Sequence, residues 1–200
     1  SLLPNLLRRF SNCGDVLCYA TQTPKTIARK KIPMKRDLKE IRCDLNNVYW
    51  IGGASRGGKT IVADAIVKEF GFTVYHHDEK WLTGEHARRA DPRRHPTMFK
   101  WKDLFEDLDV QQIYLDTPID ELVEDTINFF TEEFEMVVDD LYELPHDQPL
   151  VAEGSGLLPA SVSRVADLDK AIWLISTEAF ERKMRPDSDQ VKSEPWYDKM

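Results

Sequence analysis

The chain has 200 residues, which is enough for one α/β domain with a sizeable core. Hydrophobic residues make up 42% of it and charged residues 31%, as is ordinary for a globular protein, and the formal net charge of −8 argues against nucleic acid as the main partner. No apolar run approaches the ~20 residues of a membrane span, and the first residues are wrongly ordered for a signal peptide. We therefore expect neither a nucleic-acid partner nor a membrane partner.

Charge is unevenly distributed along the chain. Residues 1–46 contain 10 Lys and Arg and 4 Asp and Glu, against 27 and 35 in the whole chain. This shift predicts a basic N-terminal extension over residues 1–46 and a single domain over residues 47–200. Within the extension, residues 16–21 have a strand pattern and residues 35–43 a helix pattern. Residues 25–36 are basic, which is typical of a solvated arm or linker; a docking surface for an acidic partner is the alternative.

The cysteines indicate a reducing compartment. Cys13, Cys18 and Cys43 do not form a disulfide-rich pattern, so we expect free thiols and a cytoplasmic location. A metal site built on Cys13 and Cys18 is an alternative, but the spacing is loose and no fourth ligand is evident.

The most informative stretch follows residue 47. Residues 48–51 are apolar, with β-branched and aromatic members, and predict a buried strand. The pattern G-x-x-x-x-G-K-[ST] of a phosphate-binding P-loop comes next, and helical spacing continues to Gly71, which ends the helix. A chance match in a glycine-rich turn is the alternative, which the flanking strand and helix disfavour. The predicted nucleotide-binding residues are Gly53, Ala54, Ser55, Arg56, Gly57, Gly58, Lys59 and Thr60.

The chemistry of phosphate binding accounts for these residue types. Glycines at positions 53, 57 and 58 permit positive φ and a close approach of backbone N–H groups to a phosphate. The N-terminus of the following helix favours an anion. Lys59 can reach the β- and γ-phosphates, and the Thr60 hydroxyl can ligate Mg²⁺. We therefore expect ATP and Mg²⁺ as cofactors.

A second strand is predicted over residues 72–75, and Asp78 follows it. Ligands of open parallel sheets collect beyond the carboxyl ends of the strands. Asp78 is therefore the candidate base or substrate-orienting carboxylate, and the alternative is that it caps the next helix.

A basic loop occupies residues 85–95. Arginine guanidinium groups match phosphate or carboxylate groups bidentately, so this loop predicts a grip on an anionic acceptor substrate. A surface charge cluster that balances the acidic helix is the alternative. The arginines concerned are Arg88, Arg89, Arg93 and Arg94.

A long acidic helix is expected next. Residues 103–147 contain 16 Asp and Glu and no Lys or Arg. Thr117 is a plausible N-cap, Pro118 fits the first helical position, and Pro145 is expected to end the helix. Its acidic side is expected to be solvated. The apolar face steps by three or four residues and is expected to be core packing: Ile119, Val123, Ile127, Phe130, Phe134, Val137 and Leu141.

Two further strands complete the pattern. Residues 150–153 end in Glu153, which suits a Mg²⁺ ligand opposite Thr60, direct or through water; a structural hydrogen bond to the glycine turn is the alternative. Residues 171–175 form the fourth strand, and a helix over residues 178–184 follows. Arg182 and Arg185 lie at its end, where a mobile element could close over a transferring phosphate. The alternative is that these arginines belong to the end of an ordinary amphipathic helix.

These motifs together resemble the P-loop small-molecule kinases, over roughly residues 47–185. The resemblance rests on the loop Gly-Gly-Ala-Ser-Arg-Gly-Gly-Lys-Thr, on His-His-Asp-Glu, on Val-Ala-Glu-Gly-Ser-Gly-Leu-Leu-Pro and on Ala-Ile-Trp-Leu-Ile-Ser-Thr-Glu-Ala-Phe. Within that group the chain looks similar to 2-phosphoglycerate-kinase-like and shikimate-kinase-like proteins. The resemblance implies a three-layer α/β P-loop NTPase fold with a parallel sheet ordered 2-3-1-4-5, and the last strand is not evident here.

The resemblance also implies a function. The expected activity is an ATP- and Mg²⁺-dependent phosphotransferase acting on a small hydroxylated metabolite, with Lys59, Asp78, Arg182 and Arg185 as catalytic residues. One alternative is a P-loop ATPase or nucleotide-dependent switch, which would need a water-positioning residue and a switch loop. Another is a catalytically inactive nucleotide-binding protein.

Overall fold

A computed structural model describes residues 16–19, 36–106 and 117–180. The chain alternates strands and helices in these segments. In chain order the elements are β1 (Val16–Tyr19), α1 (Leu38–Asp44), β2 (Val48–Gly53), α2 (Lys59–Phe70), β3 (Thr73–His76), α3 (His77–Leu82), α4 (Glu85–Arg88), α5 (Pro96–Glu106), α6 (Ile119–Glu143), β4 (Leu150–Glu153), α7 (Pro159–Val162), a 3₁₀ turn (Leu168–Lys170) and β5 (Ala171–Ser176).

The five strands form one sheet in the order β1-β5-β2-β4-β3. β5, β2, β4 and β3 are parallel to one another, and β1 pairs with β5 in the antiparallel sense. The chain is therefore α/β with a parallel sheet, and its four parallel strands have the order that the resemblance implied for the first four. The edge beside β5, where a last parallel strand was not evident, carries β1.

Helices cover both faces of the sheet. On one face, α2 packs Ala63 and Ile66 against β2, β4 and β5. On the other face, α1 and α6 pack Ile41, Phe134 and Leu141 against the remaining strand positions, among them Trp50. The strand side chains alternate between the two clusters because successive residues of a strand point to opposite faces. The strands β2, β4 and β5 are thus buried on both sides, which explains their nearly continuous apolar sequences, whereas β3 at the end of the sheet buries only Tyr75.

Residues before and after the boundary expected at residue 46 pack into the same core. Ile41 of α1 is fully buried, and Leu45 just after it is nearly so, in the same core as the sheet. β1 also belongs to the sheet. Most of the predicted basic arm, residues 25–36, lies outside the described residues, as does Cys13.

The long acidic helix differs from expectation at its start and around its middle. It begins at Ile119, with Pro118 as the N-cap and no side-chain cap, and it ends at Glu143. Thr117 is therefore not the cap. Ile119 and Val123 are 72% and 53% exposed, so the predicted apolar face is buried only from its middle onward. The acidic side is not simply solvated, because Glu132, Glu133 and Glu135 are all buried.

Among the described residues, no helix has both the length and the apolar character needed to cross a bilayer.

Candidate functional site

The glycine-rich loop (residues 53–60) connects β2 to α2 at the centre of the sheet. Gly53 has φ 125° and lies so close to β5 that a Cβ would be 2.0 Å from the Leu174 carbonyl oxygen. Gly58 has φ 84°, and Arg56 adopts φ 60°. Gly57 does not have the positive φ that was expected; it is constrained by space, since a Cβ would be 2.9 Å from the Leu174 oxygen. The loop conformation thus requires three of its glycines.

Lys59 lies across this loop. Its side chain is only 5% exposed, although a lysine is rarely buried without partners. Its Nζ donates to the Ala54 carbonyl oxygen at 2.9 Å and to Ser155 Oγ at 3.0 Å. Nζ is also 3.9 Å from Asp78 Oδ2. The ammonium group is therefore held at the mouth of the loop, between the loop backbone and the ends of β3 and β4.

Glu153 ends β4 and faces the first turn of α2. Thr60 Oγ1 donates to Glu153 Oε1 at 3.4 Å, and His76 Nδ1 is 2.8 Å from the same oxygen. Glu153 is buried, and its other oxygen, Oε2, has no hydrogen-bond partner among the described residues. A buried carboxylate oxygen without a partner beside a hydroxyl group is a suitable donor set for a hard cation such as Mg²⁺.

Asp78 lies in the first turn of α3, but it does not cap that helix. Its Oδ1 accepts from the Ser155 backbone N–H at 2.7 Å, and its Oδ2 accepts from Ser155 Oγ at 3.1 Å. Burial alone would raise the pKa of Asp78, but His77, the Ser155 N–H and Lys59 together lower it. The carboxyl group is one-third exposed. Asp78 is thus an ionised, oriented carboxylate with access to solvent.

The turn that carries Ser155 is shaped by a histidine ring. A Cβ on Gly154 would lie 2.8 Å from His77 Nδ1, and a Cβ on Gly156 would lie 2.4 Å from His77 Cε1 and 2.5 Å from Phe130 Cδ1. The two glycines around Ser155 therefore allow the backbone to wrap closely over the His77 ring. This contact places Ser155 between Lys59 and Asp78.

A buried row of alternating imidazole and carboxylate groups extends from His77. We call it the histidine–carboxylate chain; it consists of His77, Glu133, His86 and Asp140. His77 Nε2 is 2.8 Å from Glu133 Oε2, and His86 Nδ1 is 2.8 Å from Glu133 Oε1. His86 Nε2 is 2.8 Å from Asp140 Oδ2. His77, His86 and Glu133 are at most 1% exposed, whereas the Asp140 side chain is 15% exposed. The histidine–carboxylate chain thus connects the site to the molecular surface.

The distances determine where the protons lie. An imidazole nitrogen and a carboxylate oxygen 2.8 Å apart must share a proton. Burial opposes charge on His77, but the Glu133 carboxylate overcomes it and raises the pKa of His77 to about 9. Burial also opposes charge on His86, and the hydrogen bonds to Asp140 and Glu133 raise its pKa. The same contacts lower the pKa values of Glu133 and Asp140 in spite of burial. Both histidines are therefore imidazolium ions at neutral pH.

His77, His86 and Glu133 also resemble a metal-binding set, since their ligand atoms lie within 4.8 Å of one another. Each imidazole nitrogen that faces Glu133 already has a carboxylate partner at hydrogen-bond distance. Protons therefore account for these contacts without a metal ion.

The arginines of the basic loop divide into two groups. Arg89 Nη1 donates to Asp140 Oδ1 at 2.6 Å, and Arg94 Nη2 donates to both oxygens of Glu135 at 2.7 Å. These two arginines pair with carboxylates of the acidic helix α6, as in the alternative of a surface charge cluster. Arg88 is exposed and donates to the Thr83 carbonyl oxygen at 2.9 Å, and the Arg93 side chain is exposed. Their proposed contact with an anionic substrate stays a prediction.

Arg182 and Arg185, which were expected to close over a transferring phosphate, lie outside the described residues. Of the remaining predicted site residues, Lys59, Thr60, Asp78 and Glu153 lie together at one edge of the sheet. Sequence reasoning missed Ser155 and His77. The Gly-Ser-Gly spacing after β4 was the available signal for Ser155, because a glycine on each side of a polar residue is typical of a close backbone approach.

No protein-family model, curated protein or solved structure matches the chain.

Proposed function

We propose that this protein is an ATP- and Mg²⁺-dependent phosphotransferase with a P-loop NTPase fold that acts on a small hydroxylated metabolite. One observation carries the proposal. A lysine at the start of a helix, the hydroxyl beside it and two carboxylates from neighbouring strand ends converge at the mouth of one glycine-rich loop. Phosphoryl transfer needs little covalent chemistry from a protein, so positioned charges of this kind are its main requirement.

The residues present suit Mg²⁺ and a nucleotide. Thr60 and Glu153 would hold the metal ion, because Glu153 Oε2 is buried without a partner and Thr60 Oγ1 is adjacent. A bound Mg²⁺ would neutralise phosphate charge. Backbone N–H groups of the loop and of the α2 N-terminus would bind phosphate oxygens. Lys59 would exchange its contacts with Ala54 and Ser155 for the β- and γ-phosphates.

Asp78 is the residue that favours a kinase over an ATPase switch. An acceptor hydroxyl needs an oriented hydrogen-bond acceptor, and Asp78 is an ionised carboxylate held by two hydrogen bonds from Ser155. It is also 3.9 Å from Lys59, so the acceptor and the phosphate would meet at the same point. A switch that activates water has no comparable need for an acceptor-orienting carboxylate.

The proposal is tested by an ATP-consumption screen over small hydroxylated metabolites, run with the full chain and with Asp78→Asn. We expect Asp78→Asn to bind nucleotide within a few-fold of wild type and to lose roughly 10²-fold or more in phosphoryl transfer, because positioned proton acceptance contributes about 10²–10⁴-fold. Lys59→Ala serves as the companion variant and should lose nucleotide binding as well as transfer.

The other outcomes identify the alternatives. ATP hydrolysis that no acceptor accelerates would favour the ATPase or switch. Nucleotide binding without any turnover would favour an inactive binding protein. Transfer at the wild-type rate by Asp78→Asn would refute the role of Asp78 and redirect the search to Arg88 and Arg93.

A further inference from the structure

The histidine–carboxylate chain begins directly behind Asp78. His77 Nδ1 is buried, has no hydrogen-bond partner and lies 3.4 Å from Asp78 Oδ1. The separation is long for a hydrogen bond but short for the attraction between an imidazolium and a carboxylate. On its other side, Asp78 Oδ2 is 3.9 Å from Lys59 Nζ. Asp78 therefore lies between two cations, one buried and one at the loop.

The charge of His77 depends on residues far from the site. Its Nε2 donates to Glu133, and Glu133 in turn accepts from His86. Beyond His86, Asp140 accepts from His86 Nε2, from the Tyr75 hydroxyl at 3.0 Å and from Arg89 at 2.6 Å. In the hydrogen bonds of the histidine–carboxylate chain, a carboxylate accepts from a cationic group. The exception is the bond that Asp140 accepts from the neutral Tyr75 hydroxyl. The hydrogen bonds that link His77, Glu133, His86 and Asp140 are charge-assisted while both histidines are protonated, and the remaining proton of His77, on Nδ1, faces Asp78.

The surrounding side chains and backbone also fix the position of the His77 ring. The ring lies under the Gly154–Gly156 turn, with no space for a Cβ at either glycine. It also contacts the edge of Phe130 at a centroid distance of 6.0 Å and lies 6.2 Å from the His86 ring. A group so confined, with one nitrogen aimed at Asp78, can transmit its protonation state to that carboxylate.

We propose that His77 is a positioning residue for Asp78, and that Glu133, His86 and Asp140 keep its imidazole protonated. The fixed positive charge behind Asp78 holds the carboxylate ionised and turned toward Ser155. The catalytic consequence rests on the phosphotransferase function proposed above, whereas the electrostatic coupling between Glu133, His77 and Asp78 does not. The charged groups around His77 are Glu133, Asp78 and His86, with Lys59 next beyond Asp78.

The test replaces Glu133 by Gln in the full chain and leaves the site residues unchanged. The matched control is Glu124→Gln, which makes the same change on the exposed surface of the same helix. Side-chain NMR would follow the imidazole nitrogens of His77 and His86 and the carboxyl carbon of Asp78 against pH. In Glu133→Gln we expect His77 to titrate well below its wild-type pKa of about 9, toward the ordinary 6.5. The pKa of Asp78 should rise with the loss of the neighbouring charge, and Glu124→Gln should match wild type.

The pH profile of transfer supplies a second readout. Wild-type transfer should fall as the pH rises through the titration of His77, because Asp78 loses the charge that orients it. In Glu133→Gln this fall should move to lower pH, giving a loss of about 10-fold at pH 8, since a small misplacement of a catalytic group can cost up to about 10²-fold. A merely structural role for Glu133 would lower the rate equally at every pH.

Two results would overturn the proposal. One is a wild-type His77 that titrates near 6.5; the other is an Asp78 titration that stays unchanged in Glu133→Gln although His77 has moved. If Glu133→Gln does not fold, Asp140→Asn takes its place. We then expect smaller shifts in the pKa values of His77 and Asp78, in the same directions. Unchanged pKa values in Asp140→Asn would contradict the proposal. If no acceptor is phosphorylated by wild type, the proposed function fails, while the two titrations still decide the coupling.

Discussion

Glu153 is the residue that most directly links the loop to the strands. Its Oε1 is shared by Thr60 and His76, and its Oε2 has no partner among the described residues. Replacing one oxygen by an amide keeps the shape of the side chain but removes the charge that a hard cation prefers. The pairing of Glu153 with Thr60 was anticipated from the sequence, because a strand end and a loop of this type meet at one sheet edge.

We predict that Glu153→Gln raises the Mg²⁺ concentration needed for half-maximal transfer by about 10-fold or more, since one charged ligand is lost. Acceptor affinity should stay near wild type. The measurement is a Mg²⁺ titration of the transfer rate at saturating nucleotide, with Glu124→Gln as the control. A loss of acceptor affinity with unchanged metal dependence would show that Glu153 serves the acceptor instead.

Other residues could not be foreseen from the sequence, and the buried glutamates show why. A run of acidic residues on a helix usually marks a solvated face, and periodicity distinguishes apolar from polar positions only. Glu133 is buried because His77 and His86, from distant segments, supply protons to both of its oxygens. That compensation depends on tertiary geometry, which an isolated sequence does not display.

Among the elements, α5 depends on a neighbouring helix for its start. The first N–H groups of a helix have no partner within it. In α5, which begins at Pro96, the N–H groups of Thr97 and Met98 both donate to Glu132 Oε2 of α6, at 2.9 Å each. Burial raises the pKa of Glu132, although these donors oppose the shift. Glu132 thus acts as a cap supplied from another helix.

We predict that Glu132→Ala destabilises the protein by about 1–3 kcal/mol, because it leaves the buried Met98 N–H and the partly buried Thr97 N–H without their acceptor. Glu132→Gln keeps an acceptor oxygen and should lose less than half as much. Denaturant unfolding gives the stabilities, and hydrogen exchange at Thr97 and Met98 shows whether the loss is local. Equal stabilities for the two variants would mean that the oxygen of Glu132 does not cap α5.

Helix ends illustrate both the reach and the limit of sequence reasoning. Gly71 was expected to end α2, and it does so with φ 71°. Pro145 was expected to end α6, and the last helical residue is Glu143, two positions before the proline. The reason is steric: a residue before proline avoids helical conformation, and Leu144 is extended with ψ 155°. A proline therefore ends a helix earlier than its own position suggests.

At the scale of the whole molecule, the histidine–carboxylate chain makes stability depend on pH. A histidine whose pKa is raised on folding stabilises the protein fully below its unfolded value and loses that contribution as the pH rises through the folded value. For His77 the window runs from about 6.5 to about 9. Glu133 and Asp140 have lowered pKa values, so their contribution is present at neutral pH and is lost in acid.

We predict that the free energy of unfolding of wild type decreases between pH 6.5 and pH 9, the interval over which His77 loses its proton. Glu133→Gln should be less stable at pH 6.5 and should show a flatter dependence. Urea unfolding at a series of pH values measures both, and Glu124→Gln should run parallel to wild type. A Glu133→Gln curve parallel to wild type would show that the pair does not set the alkaline limit.

The parallel strands of the sheet could be predicted from the sequence, whereas the pairing of the outermost strand β1 could not. The sequence predicted the four parallel strands β2, β3, β4 and β5. Their parallel direction follows from the helices between them, and their order was implied by the resemblance. A strand pattern near residues 16–21 was also visible, but its partner was not. Val16 pairs with Ser176 and Tyr19 with Trp173, in the antiparallel direction. Nothing local in residues 16–19 specifies that neighbour, because register is decided by the sheet that is already present.

The same strand order has a consequence for how quickly the chain can reach this structure. The central strand β2 has no neighbour close to it in the chain: Val48 pairs with Leu150, and Gly53 pairs with Leu174. Closing loops of this length costs entropy before any strand pairing compensates for it, so folding should be slow for the size of the chain. During synthesis, β2 must wait for β4 and β5 to leave the ribosome, and an apolar strand with unpaired edges is prone to aggregate in that interval.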